Sequence, residues 1–310
     1  MNSTLFFNHI TCIDHAFVDN IGNIVGGSYH PIITVKGKVT EDESVVVDFS
    51  SGKKQMKSII DHNNGEIGLD HKLWVIPGYS ACMLKNLSDT HYEIETRNGS
   101  RIVLPKTDVH VVGGNFNGSV MQTVATDIAN ILSQQMPEYE FDVELTQIPF
   151  SVTQNPMMFR YSHGLKNSTS YGCKNITHSH LSFFEITKFG NDYREDCDDC
   201  KTGLRLIEET LKGINGSMFI MKENIISEDE QWIEFGYDTP RGKMWAKINR
   251  NEQANMIVDS ETTIEYLAEF IAKRMMNALL LAKVKEFRIS EGLQKGVVYQ
   301  LDSDPGNVIF

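Results

Sequence analysis

The sequence predicts an α+β protein that consists of two tandem copies of one domain. Its 310 residues are about twice the usual length of a single domain. The segment 48–60, "DFSSGKKQMKSII", aligns without a gap with the segment 199–211, "DCKTGLRLIEETL". The same order of strand and helix signals surrounds both segments, which is typical of an internal repeat. This order of strands, hairpin and helices suggests an antiparallel sheet covered by helices on one face, in the α+β class.

The first elements of each half are strands and then a helix. Each aligned segment is predicted to be helical, because its apolar residues recur at helical spacing. A stretch rich in β-branched and aromatic residues precedes each helix, at 29–39 in the first half and at 180–189 in the second.

Hairpin signals follow both helices. The segment 92–104 turns at Asn98-Gly99, a dipeptide that favours a two-residue turn, and the segment 232–248 turns near Pro240-Arg241-Gly242. A second helix and then closing strands follow at 120–136 and 141–150 in the first half, and at 263–283 and 285–301 in the second. We therefore expect each domain to be an antiparallel four-stranded sheet with two helices on one face and an extra hairpin.

The boundary between the domains is predicted within the segment 152–158, "VTQNPMM". Pro156 and its polar neighbours interrupt the strand pattern there. The first domain is therefore assigned to residues 1–152 and the second to residues 153–310.

Composition and charge exclude several classes of function. The chain has 29 Lys and Arg against 41 Asp and Glu, and its net charge of −12 argues against binding nucleic acid or an anionic membrane surface. No segment approaches the ~18 consecutive apolar residues of a membrane span, and the N-terminus lacks the features of a signal peptide. We expect a cytoplasmic protein whose ligand is a small molecule.

Three histidines of the second half are candidate metal ligands. His178 and His180 lie two residues apart, so they face the same side of a strand, and His163 arrives from the preceding strand. Three neutral imidazoles would leave the fourth position of a tetrahedral zinc site open, as in catalytic zinc sites. A surface or core location for these side chains is the alternative.

The first half has lost most of this set. It has His15 as the counterpart of His163, and Val25 and Gly27 where the other two histidines would align. Cys173 lies between the candidate ligands in the sequence and has no evident counterpart in the first half. A thiol near a divalent cation can act as a base or nucleophile, whereas a small buried cysteine is the alternative.

Asp70 and His71 are adjacent candidates for proton transfer in the first half. An aspartate beside a histidine can orient the imidazole and support its protonated form. The sequence alignment places Ile220 and Met221 at the same positions of the second half, so the pair exists once. An ordinary polar pair at a helix end is the alternative interpretation.

A carboxylate near the end of the chain is a candidate ligand anchor. Glu291 aligns with Gln147, and a carboxylate at a strand end can accept two hydrogen bonds from an amidine-like edge such as that of a pterin or guanine. Thr263 and Glu265 open the last predicted helix and are further candidates for the ligand pocket, although a partial capping pattern also explains them.

The ordered combination of these motifs resembles the 6-pyruvoyl tetrahydropterin synthase and 6-carboxytetrahydropterin synthase family, whose members adopt the tunnelling fold. A late strand that ends in glutamate completes the set. The motifs are "VVVDF" (45–49), "LDHK" (69–72), "FRYSHGL" (159–165), "CKNITHSH" (173–180) and "TTIEYL" (262–267).

The resemblance implies a role for each candidate residue. In this family zinc is held by three histidines, a cysteine acts as base on 7,8-dihydroneopterin triphosphate, an Asp-His pair assists, and a glutamate anchors the pterin. On this sequence, the residues in those roles would be His163, His178 and His180 for zinc, Cys173 for the base, Asp70 and His71 for the pair, and Glu291 for the anchor. The family site lies between subunits, and the neighbour delivers the Asp-His pair.

This chain departs from the family because it is a fused pair in which each domain lacks what the other keeps. We therefore expect one complete site where a first-half domain meets a second-half domain. The resemblance implies a zinc-dependent lyase that forms 6-carboxy-5,6,7,8-tetrahydropterin, as in queuosine-type biosynthesis. The alternatives are 6-pyruvoyl tetrahydropterin formation and a pterin- or purine-binding protein without turnover. A homo-oligomeric ring, such as a trimer of two-domain chains, is also expected.

Overall fold

The computed structural model describes residues 2–39, 45–62, 68–147 and 157–301. Within these residues the chain forms three six-stranded sheets and five α-helices, so the predicted α+β class is confirmed. The predicted domain boundary between residues 152 and 153 lies outside the described residues.

The first half has the predicted order of elements, with additional strands at its start and on both sides of its hairpin. Its central hairpin turns at Gly99, whose φ of 84° is in the left-handed region that glycine adopts without strain. The elements are β1 (Asn2–Asn8), β2 (Ile13–Val18), β3 (Ile24–Lys38), α1 (Phe49–His62), β4 (Leu73–Val75), β5 (Cys82–Asn86), β6 (His91–Thr96), β7 (Arg101–Pro105), β8 (Val109–Val111), α2 (Val120–Gln135) and β9 (Glu140–Thr146).

The second half repeats this order and differs from the prediction at its end. The helix expected at 263–283 is interrupted at Met275, whose φ of −115° and ψ of 21° leave the helical region. The strand expected at 285–301 is a hairpin, because the chain reverses at Gly292. The elements are β10 (Met157–His163), β11 (His178–Phe189), α3 (Asp198–Ile214), β12 (Ser217–Met221), β13 (Ile225–Glu228), β14 (Trp232–Thr239), β15 (Gly242–Asn249), β16 (Asn255–Val258), α4 (Ile264–Arg274), α5 (Met276–Leu281), β17 (Val284–Glu291) and β18 (Lys295–Gln300).

Each half builds one mixed sheet. The first sheet has the order β1-β3-β2-β4-β8, and β9 pairs with β3 as well. The second has the order β16-β12-β10-β11-β17-β18. Strand β4 runs parallel to β2, and β12 runs parallel to β10 in the same way. The expected sheet of four antiparallel strands is therefore not confirmed, since each sheet also includes parallel strands.

The two hairpin regions join in a third sheet that both halves share. Its order is β13-β14-β15-β7-β6-β5, and Trp245 of β15 lies opposite Val103 of β7. The hairpins are therefore not separate appendages of two domains. Their apolar faces cover a core that includes Leu73 and Val109 from the first half and Met218 and Ile220 from the second. This shared core fixes how the halves meet.

The helices cover the two main sheets. Helices α1 and α2 pack on the first sheet, and α3, α4 and α5 pack on the second. Gly203 of α3 lies so close to α5 that a Cβ atom would come within 2.7 Å of the Ala278 carbonyl oxygen, which explains why a glycine occupies this buried position. None of the described helices is both long and apolar enough to cross a membrane.

Strand register defines which residues of the two halves are equivalent. Leu145 of β9 pairs with Pro31, and Ile289 of β17 pairs with Phe184. If these closing strands are superposed, Gly27 matches His180 and Val25 matches His178, as predicted from the sequence.

The same register corrects the predicted role of His15. Gly27 lies opposite His15, whereas its equivalent His180 lies opposite Tyr161. The counterpart of His163 is therefore Phe17, which lies opposite Val25. The sequence alignment of His15 with His163 was wrong because the β10–β11 loop is much longer than the β2–β3 loop.

Candidate metal and thiol site between the halves

The three candidate histidines converge on one face of the second sheet. His163 and His178 lie directly opposite each other in neighbouring strands, and His180 follows on the same face. The ring centroids of His163 and His178 are 4.8 Å apart, and those of His178 and His180 are 4.4 Å apart. All three side chains are buried, and one ring nitrogen of each lies within 4.8 Å of the others.

Each of the three imidazoles has at least one ring nitrogen that is free to bind a cation. The Nδ1 atom of His163 lies 2.8 Å from the carbonyl oxygen of Thr262. A carbonyl only accepts hydrogen bonds, so Nδ1 carries the proton and Nε2 presents a lone pair. Among the described residues, this Nε2, both ring nitrogens of His178 and Nε2 of His180 have no hydrogen-bond partner.

Burial keeps two of these imidazoles neutral. It lowers the pKa of His163 to about 3, and it lowers the pKa of His178 well below its usual range, with further lowering by the neighbouring His180 and His71. Neutral imidazoles are the form that ligates a metal. The donor set therefore fits a divalent cation such as zinc.

The Asp-His pair of the first half lies against this cluster within the same chain. Asp70 Oδ2 lies 2.6 Å from His71 Nδ1, and the ring of His71 lies 4.4 Å from that of His178. Gly172 approaches the His71 ring so closely that a Cβ atom there would lie 2.7 Å from His71 Cγ. The two groups predicted in different halves are therefore brought together without a second chain.

Cys173 completes a thiol–imidazole–carboxylate series. One ring nitrogen of His71 and the Cys173 sulfur lie within 4.8 Å of each other. Burial alone would raise the pKa of Cys173, but the neighbouring His71 outweighs burial and lowers the pKa below the usual value. Burial would lower the pKa of His71, but Asp70 and Cys173 raise it well above the usual range. The thiolate and the imidazolium stabilise each other, which is the arrangement of an activated cysteine.

The loop that carries Cys173 is held by Asn175, a residue that the sequence analysis did not select. The buried Asn175 amide donates to the carbonyl oxygens of His71, at 3.0 Å, and Asp108, at 3.2 Å. Its own oxygen accepts from the backbone N–H and the hydroxyl of Thr177. Because His71 and Asp108 belong to the first half, this amide ties the thiol loop across the junction.

Glu291 ends β17 beside the histidine cluster. Its Oε1 lies 3.8 Å from His180 Nε2, and its Oε2 lies 3.2 Å from Lys295 Nζ. Burial would raise the pKa of Glu291, but His180 and Lys295 outweigh it and lower the pKa. Lys295 was missed because a lone lysine at the start of a strand carries no recognisable motif.

The weaker pocket candidates lie away from these contacts. Thr263 is the N-cap residue of α4, but its side chain makes no capping hydrogen bond, and Glu265 is exposed in the first turn. Their neighbour Thr262, rather than either of them, contacts the cluster through His163.

The second-half counterparts of the Asp-His pair are Asn215 and Gly216, and the predicted match to Ile220 and Met221 is wrong. Asp70 accepts a hydrogen bond from the Asp14 N–H at 2.8 Å, and Asn215 accepts one from the Arg160 N–H at the same distance. The backbone N–H groups of His71 and Gly216 donate to the carbonyls of those same two partners. His71 and Gly216 both have positive φ, at 61° and 80°.

Fold and site together define a tandem α+β protein with one buried histidine–thiol site at the junction of its two halves. No protein-family model and no curated protein matches the chain.

Among solved structures, the chain is similar to 6-pyruvoyltetrahydropterin synthases of two malaria parasites. A catalytic-residue mutant of the Plasmodium vivax enzyme is 16% identical, with a TM-score of 0.37, and the match covers 49% of this chain and 94% of that one. The Plasmodium falciparum enzyme is 20% identical, with a TM-score of 0.34, and covers 44% of this chain and 80% of its own. This is the family that the sequence motifs resemble.

Proposed function

We propose that the protein is a zinc-dependent lyase that converts 7,8-dihydroneopterin triphosphate to 6-carboxy-5,6,7,8-tetrahydropterin, with one complete site per chain. The observation that carries the proposal is the convergence of three buried imidazoles with a thiol and an Asp-His pair. Motifs that resemble the 6-pyruvoyl and 6-carboxytetrahydropterin synthases support the choice of substrate.

The three imidazoles would hold the zinc ion, because their free lone pairs have no other described partner. Zinc bound there would polarise a substrate oxygen and so acidify the adjacent C–H group. Cys173 is the base in this scheme, since its pKa is already lowered by His71. Asp70 holds the imidazole of His71, which returns the proton to a substrate oxygen.

Glu291 is proposed as the anchor of the pterin ring. Its carboxylate lies on the same side of the site as His180 and remains ionised, so it can accept two hydrogen bonds from the amidine-like edge. Lys295 lies next to it and offers a cationic donor to an acceptor on the same ligand. Thr263 and Glu265 remain weaker candidates for this pocket.

Product analysis tests the reaction. Purified protein is incubated with 7,8-dihydroneopterin triphosphate, and the products are identified by mass spectrometry. Release of a two-carbon aldehyde supports the carboxy product, whereas its absence with pyruvoyl product formed supports 6-pyruvoyl tetrahydropterin synthase activity. Cys173→Ala and His71→Asn should abolish conversion, while Cys82→Ala and His91→Asn, remote in the shared third sheet, should not.

Two further measurements test the one-site arrangement. Metal analysis should give about one zinc per chain, and a value of two or zero contradicts it. Mixing the Cys173→Ala and His71→Asn variants should restore no activity, because both residues of a site come from one chain. If the protein binds a pterin but neither variant alters any conversion, it is a binding protein without turnover.

We also propose that the chains form a homo-oligomeric ring, such as a trimer. Strand β18 lies at the edge of the second sheet and β9 pairs on one side only with β3, among the described strands, so both could pair with a neighbouring chain. Light scattering after gel filtration should give a multiple of the 35.1 kDa chain mass, and a monomer refutes the ring.

A further inference from the structure

We propose that Asp14, a first-half residue outside every motif, is the positioning residue for His180 and links the histidine cluster to the Asp-His pair. This inference rests on the proposed metal site. It assigns to the first half a second contribution, in addition to Asp70 and His71.

The Asp14 side chain is placed between the two halves. It is 4% exposed, and its Oδ1 accepts a hydrogen bond from the Ser28 hydroxyl at 2.5 Å. The same oxygen lies 3.2 Å from His180 Nδ1. An ionised carboxylate only accepts hydrogen bonds, so at this distance it favours the tautomer with the hydrogen on Nδ1, which leaves the lone pair on Nε2. Carboxylates commonly orient metal-binding histidines in this way.

The backbone of Asp14 is fixed by the Asp-His pair itself. Its N–H donates to Asp70 Oδ1 at 2.8 Å, and its carbonyl oxygen accepts from the His71 N–H at 2.6 Å. Asp14 therefore contacts both His180 and the pair through different atoms. One residue sets the spacing between the proposed metal ligand and the proposed proton-transfer group.

The turn between β17 and β18 closes over the carboxylate. Gly292 has a φ of 71°, and a Cβ atom there would lie 2.5 Å from Asp14 Oδ1. Only glycine leaves room for the carboxylate without strain. The second half therefore encloses a first-half side chain, and this closure keeps water from Asp14.

The equivalent residue of the second half, Arg160, carries the opposite charge. Arg160 has the same backbone hydrogen bonds, with Asn215 and Gly216, and its guanidinium donates to the Gly26 carbonyl at 2.6 Å. Gly26 is next to Gly27, the equivalent of His180. The chain therefore uses one backbone arrangement twice, with a carboxylate directed at an imidazole in one case and a cation directed at a carbonyl in the other.

Two variants separate orientation of His180 from simple interface packing. Asp14→Asn keeps the shape and removes the charge, and Asp14→Ala also removes the acceptor. Zinc affinity, measured by competition with a chelator, should fall about 10-fold in Asp14→Asn and up to ~100-fold in Asp14→Ala, the range found for such supporting groups. Arg160→Gln is the matched control, and it should lower the unfolding midpoint while changing zinc affinity less than about twofold.

A measurement without metal decides the inference independently of the proposed function. Metal-free protein labelled with ¹⁵N-histidine is compared by long-range ¹H–¹⁵N correlation at one pH, and His180→Gln assigns the signal. Wild type should show a single His180 tautomer with the proton on Nδ1, and Asp14→Ala should show a mixture. If wild type binds no zinc but shows this tautomer, the proposed function fails and the role of Asp14 stands. An unchanged tautomer in folded Asp14→Ala overturns the inference.

Discussion

Asn175 should be the residue on which the alignment of the thiol with the Asp-His pair most depends. Its side chain makes four hydrogen bonds in a fully buried place, two to first-half carbonyls and two to Thr177. At roughly 0.5–1.5 kcal/mol each, with some redundancy, Asn175→Ala should lower the free energy of unfolding by about 3 kcal/mol. The loss should be visible as a lower midpoint in urea denaturation.

The same variant should change the chemistry of Cys173. Without the amide, the loop is no longer tied to the His71 carbonyl, so the thiol loses its fixed contact with the imidazole. Alkylation by iodoacetamide at pH 7, followed residue by residue with mass spectrometry, should slow at Cys173 by several-fold and not at Cys82. Asn215→Ala is the control, because that amide oxygen accepts a single described hydrogen bond, from the Arg160 N–H, at the position equivalent to Asp70 and on the side of the junction that lacks the Asp-His pair.

The proposed role of Asn175 is refuted if Asn175→Ala unfolds at the wild-type urea concentration and its Cys173 reacts at the wild-type rate. A fall in stability with unchanged thiol reactivity would refute the second step alone. In that case Asn175 would be a structural residue of the domain junction with no influence on the site.

Three other predictions concern pH, packing and metal. The pKa of Cys173 is lowered by His71, so alkylation of Cys173 in metal-free protein should persist at pH values below those at which an ordinary thiol reacts. His71→Asn should move this pH profile of alkylation to higher pH. Identical profiles for wild type and variant would contradict the pairing of Cys173 with His71. Gly292→Ala should lower the melting temperature more than Gly114→Ala does. Both glycines have positive φ, so alanine destabilises either position by roughly 1–2 kcal/mol, but only at Gly292 does the added Cβ atom contact Asp14. Equal decreases in melting temperature would exclude this contact. Addition of zinc to metal-free protein should raise the melting temperature by mass action, and His178→Ala should remove that increase.

The sequence predicted the repeat and the convergence of the histidines well, because both follow from local periodicity. The aligned helices, the hairpin turn at Gly99 and the position of His178 and His180 on the same face of β11 depend on spacing within one element. Residues that act across the junction were not predictable in this way. Asp14 belongs to no motif, Asn175 lies in "CKNITHSH" without being a candidate site residue, and the contacts of both join segments that are distant in the chain.

The errors of the sequence comparison have a common physical cause. Each error lies beside a connection whose length differs between the halves. For Asp70 and His71 it is the connection between α1, which ends at His62, and β4, which begins at Leu73, since α3 and β12 are separated by only two residues; for His15 it is the loop after β2. The strand β2 ends at Val18 and β3 begins at Ile24, whereas the corresponding loop of the second half extends from His163 to His178. A one-dimensional alignment cannot place that difference, but hydrogen-bond register can. It is the backbone pattern around Asp70 that identifies Asn215 as its true counterpart.

Packing as well as missing ligands supports the proposed single site per chain. The halves meet through equivalent segments, since a Cβ atom at Gly26 would lie 2.9 Å from Cβ of Ser179, its own repeat equivalent. Each half therefore presents the same surface to the other, and two equivalent sites would be geometrically possible.

The second of these two potential sites, beside Gly27, is filled by packed side chains. Any side chain at Gly27 would have its Cβ atom 2.6 Å from the ring of His15, and that ring is stacked at 3.7 Å on the buried Trp74. Burial lowers the pKa of His15 to about 3, so it is held as a neutral packing group. Restoring three histidines in the first half would therefore not restore a metal site unless His15 and Trp74 were also repacked and Arg160 replaced. The chain is asymmetric because one half of its junction is built around an imidazole cluster and the other is built as core.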